Sequence, residues 1–373
     1  MGRESARTKS MKKMVAHRQQ GVALIIVMVT IFVLAALAGG FALSMKVETK
    51  LARNANCDSE LEWIGRSGVE LACYILAEQL NIANEPYDSL NQKWAGGPGS
   101  FTSSNSPLMQ ISLTDHKLGN GTYDIKITDL ERKFNINVDA LGGAQVLEQA
   151  FIQMGVDAGE YPAIMAAIQD WVDPDNDAHI GGAESDYYQS LNPPYLAKNG
   201  PIDDILELQL IKGVTWEIFA GGSAPSTYPA VQTAFGAGGV ISYAFGLRDV
   251  FTPISSGKIN LNTAPASVLQ LIPGIDPLLV PEIIKMRSGP DGVDGSMDDT
   301  PLRSVGELVN IGIGNQLTGQ LARFCDVRSR TFLVEVKASI GSYKRYYYAI
   351  VGRSSAKDLQ VLTFYSTLDS RKP

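Results

Sequence analysis

The feature that most constrains this chain is an uncharged stretch near its amino terminus. From Gly21 to Met45 the sequence GVALIIVMVTIFVLAALAGGFALSM contains no charged residue. As a helix it would extend about 37 Å, which is enough to cross the hydrocarbon core of a bilayer. Six lysines or arginines and one acid precede it, and such a basic flank favours a cytoplasmic amino terminus. The sequence therefore predicts one membrane span, with the body of the chain on the far side.

The helical pattern continues beyond this stretch. Between Met45 and Leu80 there is no proline, and apolar residues recur at helical spacing until Pro86 ends the run. The predicted inward face comprises Leu61, Ile64, Gly68, Leu71 and Ile75. A secretory signal peptide is the alternative, but its apolar core is about 7–15 residues long and ends at a cleavage site. The pattern instead predicts one helix of about 60 residues, half in the membrane and half amphipathic.

Charge divides the chain into a basic leader and an acidic body. The whole sequence has a formal net charge of −7, whereas the residues after Gln20 comprise 26 basic and 38 acidic side chains, which leaves −12. An acidic body repels phosphate backbones, so nucleic acid is not expected as a partner. The hydrophobic fraction of 45% supports a packed core and excludes a disordered chain.

The three cysteines indicate neither a zinc cluster nor a redox motif. Cys57, Cys73 and Cys325 contain no CxxC pair. Cys57 and Cys73 are separated by about 24 Å along the predicted helix, too far for a disulfide. We expect three free and mostly buried thiols, with a pairing of Cys325 to one of the others left open.

The body contains two groups of predicted strands separated by a helical region. Met109–Thr114 and Thr122–Asp129 are strand-like, and Gly119-Asn120-Gly121 between them is typical of a hairpin turn. Further strands are predicted at Thr331–Ile340, Arg345–Gly352 and Leu359–Thr367. Predicted helices include Ala144–Met154, Glu160–Val172 and Ile202–Ile211. This order predicts an α+β fold, in which a long amino-terminal helix joins an antiparallel sheet and a large all-helical domain is inserted between strands.

We expect six segments along the chain. They are a leader peptide (1–21), the transmembrane part of the helix (22–45), the first part of the sheet domain (46–138), the inserted helical domain (139–257), a helix–hairpin–helix-like segment (258–330) and the carboxyl-terminal strands (331–373). The borders of the insert are placed at two similar sequences, Lys133-Phe134-Asn135-Ile136-Asn137 and Lys258-Ile259-Asn260-Leu261-Asn262.

An acidic loop is the main candidate for a metal site. Its carboxylates, at loop positions 1, 3, 5 and 12, are Asp173, Asp175, Asp177 and Glu184. This is the spacing of ligands in a calcium-binding EF-hand loop, but position 6, which there requires glycine, is Ala178. We therefore expect an EF-like calcium loop, with Asp170 and Asp186 as candidate additional ligands. The alternative is a solvated acidic loop whose carboxylates cap helices.

A second acidic loop has two interpretations. Its carboxylates are Asp291, Asp294, Asp298 and Asp299. Gly292 and Gly295 allow tight turning. A plain surface loop and a second calcium site both remain open from the sequence.

The stretch Asn262–Gly314 contains two short hairpins between predicted helices, at Leu271–Ile275 and Ile311–Gly314. Tandem helix–hairpin–helix units of this kind often bind a DNA backbone through hairpin amides. Here three local cations are outnumbered by seven acids, which favours a structural or protein-contact role.

Signals for catalysis are poor. Outside the leader the histidines are His116 and His179, and the sequence has no Gly-x-Ser-x-Gly, Walker A or His-Glu-x-x-His motif. We therefore expect no enzymatic activity.

The basic leader, the glycine and the apolar helix together resemble the start of the type IV pilin class. The resemblance implies that a prepilin peptidase cuts between Gly21 and Val22 and that the new amino terminus is methylated. Most members carry glutamate at the fifth mature position, where it pairs with the amino terminus of the preceding subunit; here that position is Ile26. An unpaired charge in apolar surroundings is costly, so its absence suggests a subunit with none ahead of it, at a filament tip.

Several stretches of the body carry a closer resemblance. They are DWVDPDNDAHIGGAESDYYQSLNPPY, NGPIDDILELQLIKGVT, KINLNTAPASVLQLIPGI, IIKMRSGP and RSVGEL. With the layout of the chain they are similar to the GspK (protein K) family of minor pseudopilins in type II secretion. The resemblance implies a pilin-like fold, calcium in the helical domain, a single inner-membrane span and a periplasmic body. It also implies that the chain caps the pseudopilus tip with minor pseudopilins I and J and starts its assembly. The alternatives are a minor pilin of a type IV pilus and a membrane-anchored DNA receptor.

Overall fold

The computed structural model describes residues 4–99, 106–138, 143–223 and 243–368. The chain divides into two compact units, residues 1–62 and 63–373, and the division falls within the first helix, α1 (Glu4–Leu80). Parts of the six expected segments lie outside the described residues, namely positions 1–3 of the leader, 100–105 of the first sheet part, 139–142 and 224–242 of the inserted domain, and 369–373 of the last segment. The borders of those segments stay predictions.

All described residues of the first unit belong to α1, which continues into the second unit. Among the described residues, the helical segment Val22–Leu80 is long and apolar enough to be a candidate membrane span. Every side chain from Val22 to Met45 is exposed, and a continuous apolar surface of this size is normally covered by lipid or by protein. The helix is longer than predicted, because it also runs back through the basic leader.

The second unit is built on an antiparallel sheet. The strands in its described residues are β1 (His116–Leu118), β2 (Gly121–Asp129), β3 (Phe134–Asn135), β4 (Phe251–Thr252), β5 (Ile259–Asn260), β6 (Cys325–Asp326), β7 (Thr331–Ile340), β8 (Tyr343–Ser355) and β9 (Asp358–Thr367). Five of them form one sheet in the order β1-β2-β7-β8-β9, with antiparallel pairing throughout. Since β2 and β7 are neighbours in space, residues 130–330 form an insert between two adjacent strands.

The alternation of side chains along β2 decides which face of the sheet is buried. Tyr123, Ile125 and Ile127 are buried and alternate with more exposed positions, as a period of two requires. The predicted turn is also present, because Leu118 pairs with Gly121 across Gly119 and Asn120.

The prediction of a strand at Met109–Thr114 is wrong. Pro107–Gln110 forms a 3-10 helix there, and β1 lies further along the chain at His116–Leu118. The reason is local: the Ser106 hydroxyl accepts a hydrogen bond from the Leu108 amide, and proline at the first helical position favours a helical start.

From Trp63 to Leu80, α1 packs on the sheet through two glycines. A Cβ at Gly65 would overlap the Tyr347 ring of β8, and a Cβ at Gly68 would lie 2.5 Å from the Val336 side chain of β7. The buried face of this segment includes Ile64, Ala72, Ile75 and Leu76. Leu71, which was predicted to point inward, is half-buried, whereas the next residue, Ala72, is fully buried.

In its described residues, the regular structure of the insert consists of helices and the short parallel pairs β3–β4 and β5–β6. Its α-helices are α2 (Gly143–Met154), α3 (Tyr161–Val172), α4 (Ser185–Gln189), α5 (Trp216–Ala220), α6 (Leu247–Val250), α7 (Ala266–Leu269), α8 (Val280–Arg287) and α9 (Asn315–Leu321). The predicted helices agree with α2 and α3, whereas the third is a 3-10 helix over Ile205–Leu210. One hydrophobic cluster runs through the insert, from Phe134 to Val327.

A buried ion pair joins the sheet to the segment that follows α1. Arg353 of β8 and Asp88 are each 1% exposed and pair through Nη2 and Oδ2. Arg353 also donates to the carbonyl oxygens of Leu76 (3.1 Å) and Ser329 (2.7 Å). A buried guanidinium is tolerated only when its donors are satisfied, so this side chain fixes α1, the sheet and the end of the insert together.

A second buried carboxylate connects the two ends of the insert. Asp129, the last residue of β2, accepts hydrogen bonds from the side chains of Thr263 (2.5 Å), Ser329 (2.6 Å) and Asn260 (3.3 Å). Burial raises the pKa of Asp129. Next to it, Glu131 accepts from the amide of Arg330 (2.8 Å), so the exit and the return of the insert are held side by side.

Replacing Glu131 with glutamine should make the stability of the fold less sensitive to pH. Burial, with a further contribution from Asp129, raises the pKa of Glu131 from 4.5 to about 7. The folded state therefore keeps a proton that the unfolded state releases, and wild-type stability declines as the pH rises from 4.5 through about 7. The shift corresponds to about 3 kcal/mol. In thermal melts of the full chain in detergent, E131Q should match the wild type at pH 5 and melt higher at pH 8.

The control is E70Q, which removes an exposed carboxylate from α1 and should leave the pH dependence unchanged. A melting curve for E131Q that falls between pH 5 and pH 8 as steeply as the wild-type curve would contradict the assignment.

Candidate metal centre

The acidic loop connects two helices that the core holds in place. α3 ends at Val172 and α4 begins at Ser185, so the connection spans residues 173–184. Trp171 at the end of α3 and Tyr188 in α4 are both buried, and their rings meet edge-on with centroids 5.3 Å apart. Both ends of the loop are therefore fixed.

The described residues that could hold a metal ion form two overlapping groups, and within each the candidate ligand atoms lie within 4.8 Å of one another. The groups are Asp173, Asp175 and Glu184, and Asp170, Asp173 and His179. Four of the six carboxylates proposed from the sequence are thus brought together. The other two, Asp177 and Asp186, are exposed and belong to neither group.

Asp170 shapes the loop from within. The residue is fully buried. Its Oδ1 accepts a hydrogen bond from the His179 backbone amide (3.1 Å) and lies 2.5 Å from His179 Nδ1. Its Oδ2 accepts a hydrogen bond from the Ala183 amide (2.6 Å). The hydrogen bond to Asp170 raises the pKa of His179. Gly182 lies so close that a Cβ there would overlap the Asp170 carboxylate. Because Asp170 already accepts three hydrogen bonds, its main effect is to fold residues 179–183 around the end of α3.

Among the other carboxylates, Asp175 Oδ1 accepts from the Asp177 amide (2.9 Å) and Asp173 Oδ2 lies 3.8 Å from His179 Nδ1, but three side-chain oxygens have no partner among the described residues. Asp173 Oδ1 and both side-chain oxygens of Glu184 are buried and find no hydrogen-bond partner among the residues described. Glu184 is only 5% exposed. Burial, followed by the charges of neighbouring aspartates, raises the pKa of both Asp173 and Glu184. Unpartnered buried oxygens are costly, and a cation bound between them would remove that cost.

The chemistry of the donors fits a hard divalent cation. Asp173, Asp175 and Glu184 offer oxygen alone, and calcium takes about 6–8 oxygen ligands with flexible geometry. The arrangement differs from an EF-hand at position 5, since Asp177 lies outside the group. At position 7 the His179 carbonyl accepts a hydrogen bond from the Gly182 amide (2.9 Å). The residues that would hold calcium are therefore those at loop positions 1, 3 and 12.

Two residues near this loop were not found from the sequence. Asn199, with a left-handed φ of 48°, donates from Nδ2 to the Asp175 carbonyl, and its buried Oδ1 has no partner in the described chain. Lys212 donates to the carbonyl oxygens of Gly181 and Gly182. Both residues lie beyond the loop in sequence, where no spacing rule connects them to it.

The second acidic loop is closed by its own hydrogen bonds. Asp294 pairs with the buried Arg287 through two contacts of 2.9 and 2.5 Å. Asp298 accepts from the Ser296 hydroxyl, and Asp299 from the Gly295 amide. Among the described residues these carboxylates form no metal-binding group, which favours the surface-loop interpretation.

The two predicted hairpins of the segment 258–330 are present. Gly274 (φ 93°) lies between α7 and α8, and Gly312 (φ 90°) precedes α9. Positive φ angles of this kind favour glycine, and Ile272, Ile275 and Ile313 beside them are buried. The hairpins therefore contribute to the core of the insert.

The predicted processing site lies inside α1, which is continuous through Gly21 and Val22. Val22 and Ile26 are both 58% exposed. The apolar surface of this helix is therefore uninterrupted by an acid at the fifth position after Gly21.

Comparison with known proteins finds similarity in the part of the chain that carries the loop. Residues 132–221 match the family model described as type II secretion system (T2SS), protein K. A protein of Escherichia coli (strain K12), provisionally named type II secretion system protein K, is 30% identical over 213 residues, which cover 54% of this chain and 60% of that protein. The type II secretion system protein K of Klebsiella pneumoniae is 27% identical over 210 residues, covering 53% and 59%. The chain thus spans less than two thirds of the length of these relatives.

One chain of the crystal structure of the GspK-GspI-GspJ complex from the enterotoxigenic Escherichia coli type 2 secretion system has a similar fold. The TM-score is 0.59 at 17% identity, and the match covers 85% of this chain and 99% of that one. At this identity the likeness concerns the fold, and it confirms the predicted pilin-like α+β class.

Replacing Glu184 with glutamine should stabilise the metal-free protein at neutral pH. Because burial and nearby aspartates raise its pKa, the ionised side chain lowers stability as the pH rises through that pKa. The variant E184Q should therefore melt above the wild type in chelator at pH 7, and the gain should disappear at acid pH, where the wild-type carboxyl is protonated.

The matched control is D186N, which removes an exposed charge two residues away and should bring no such gain. A metal-free E184Q protein that melts below the wild type at pH 7 would show that Glu184 is not held in an unfavourable charged state.

Proposed function

With its similarity to protein K of type II secretion systems confirmed, we propose that this chain works as a minor pseudopilin of such a system. The observation that carries the proposal is the insert: residues 130–330 interrupt a pilin-like sheet between neighbouring strands, and they include the matched family domain. The role is structural, consistent with relatives named as secretion-system proteins.

The apolar helix would anchor the chain in the inner membrane. The candidate span in α1 and the basic residues before it support a cytoplasmic amino terminus and a periplasmic body. A prepilin peptidase would cut between Gly21 and Val22 and leave an amino terminus that is then methylated. Removing the leader would leave the body more acidic than the whole chain.

The partners would be minor pseudopilins of the I and J types. The fold neighbour was crystallised as a GspK-GspI-GspJ complex, which supports the same assembly here. The chain would cap the tip of the pseudopilus and initiate its assembly. Two features support this position: the bulk of the insert, which a repeating subunit would have to accommodate, and the apolar Ile26 in place of a glutamate that would need a preceding subunit.

Calcium would order the loop between α3 and α4. The support is the set of buried carboxylate oxygens without partners at Asp173 and Glu184, close to Asp175. A bound divalent cation would supply positive charge there, and the loop would then present a fixed surface at the end of α3.

Co-expression of the full chain with I-type and J-type minor pseudopilins tests the assembly. After extraction in detergent, affinity capture of this chain should retain both partners together. The same preparation should not shift double-stranded DNA at physiological salt. DNA retention with no ternary complex would reverse the proposal in favour of the DNA-receptor alternative.

Replacing both Asp173 and Asp175 with alanine should abolish stabilisation by calcium. At a calcium concentration of about one hundred times Kd, binding to the folded state alone adds about 2.7 kcal/mol, so the wild type should melt measurably higher than in chelator. The control D177A/D186A removes the same charge outside the groups and should keep the shift. A wild-type melting temperature that is equal with and without calcium would rule out the calcium role.

A further inference from the structure

Lys212 contacts the acidic loop just before its carboxyl-terminal end. Its Nζ donates to the carbonyl oxygens of Gly182 (2.9 Å) and Gly181 (3.2 Å) and lies 5.0 Å from the centre of the Tyr187 ring. These two carbonyls immediately precede Ala183 and Glu184. An ammonium group that donates to two successive carbonyls restricts the direction in which the following residues can point.

The base of Lys212 is itself rigid. The neighbouring Ile211 is 3% exposed, and the Lys212 amide donates to the hydroxyl of the fully buried Tyr188 (3.3 Å). At the next position, Gly213 has a φ of 83° and packs against Ile164 of α3. The ammonium group is therefore presented from the core and not from a loosely held surface chain.

The segment before Glu184 is held by two side chains. Asp170 accepts from the Ala183 amide at 2.6 Å, while Lys212 donates to the carbonyls of Gly181 and Gly182. Glu184 follows directly and is buried with both carboxylate oxygens unpartnered within the described residues. We infer that Lys212 is a positioning residue of the metal centre: by holding these carbonyls it directs the Glu184 carboxylate toward the cation. The inference rests on the proposed binding of calcium by this loop.

The charge and the position of Lys212 predict opposite effects on metal affinity. A positive charge close to a cation site weakens binding by repulsion, so its removal should strengthen binding if charge alone mattered. If Lys212 positions Glu184, its removal should weaken binding, as the loss of a partner that orients a ligand typically costs about 10–100-fold in metal affinity. The sign of the change therefore separates the two roles.

Calcium titration of the full chain in detergent, by calorimetry at a temperature where every variant is folded, tests this inference. K212M removes both the charge and the donor and should bind calcium about 10-fold or more weakly. K212R keeps the charge and the donor and should restore most of the affinity. K212Q keeps a donor without the charge and should bind more tightly than K212M.

The control variant K258M removes a lysine that likewise donates to a backbone carbonyl, that of Ala322 (3.2 Å), and contacts Asp326 rather than the acidic loop. It should bind calcium as the wild type does. Calcium binding by K212M that equals or exceeds the wild type would overturn the inference while leaving the calcium proposal intact. A wild-type protein that binds no calcium would instead overturn the proposed function of the loop. A K212M protein that melts lower with an unchanged Kd would mean that Lys212 only stabilises the fold.

Discussion

The fold depends on a buried ion pair between Arg353 and Asp88. Arg353 is held within the sheet, and its guanidinium reaches the carbonyls of Leu76 in α1 and Ser329 at the end of the insert. Removing one partner of such a pair leaves an uncompensated buried charge, which is far costlier than the pair is stabilising. Two adjacent strands with an insert between them can pair only if the two ends of that insert are held side by side. Here Arg353 and the neighbouring Asp129 hold these ends, and β2 pairs with β7 from Thr122 to Asp129.

The same hydrogen bonds hold the ends of the insert that carries the candidate metal centre. Once the ends of the insert are fixed, its apolar side chains form one cluster, which includes Trp171 and Tyr188 on either side of the acidic loop. The loop itself contains few apolar residues, and its internal hydrogen bonds join His179 to Gly182 and Asp175 to Asp177. Asp170 accepts from the loop backbone and Lys212 donates to it, and both residues have buried neighbours. Order at the site thus derives from packing some distance away, which is how a fixed scaffold usually supports a functional loop.

Helices and strands with a regular spacing of apolar residues were predictable from the sequence, whereas contacts between distant segments were not. Alternation in β2 and the apolar run of α1 each have a period that depends on neighbouring residues alone. The strand predicted at Met109–Thr114 failed because Ser106 and Pro107 start a 3-10 helix, a local signal that outweighed the apolar pattern. For the metal centre, the spacing identified Asp173, Asp175 and Glu184, but Asp177 is exposed and belongs to neither group. Asn199 and Lys212 reach the loop from other segments, and their contacts exist only once the insert has folded.

Hydrogen-bond partners distinguish carboxylates that maintain the fold from those available for a ligand. Asp129 and Asp170 are as buried as Glu184, yet each accepts three or more hydrogen bonds from the surrounding chain. Asp294 is likewise paired with Arg287. Glu184 is buried with neither of its oxygens satisfied by the described residues. Selection for stability alone would favour an apolar or partnered side chain there. In a chain with this many acids, density of negative charge is therefore a poor guide to a metal site, and the absence of internal partners for a buried oxygen is the more specific criterion.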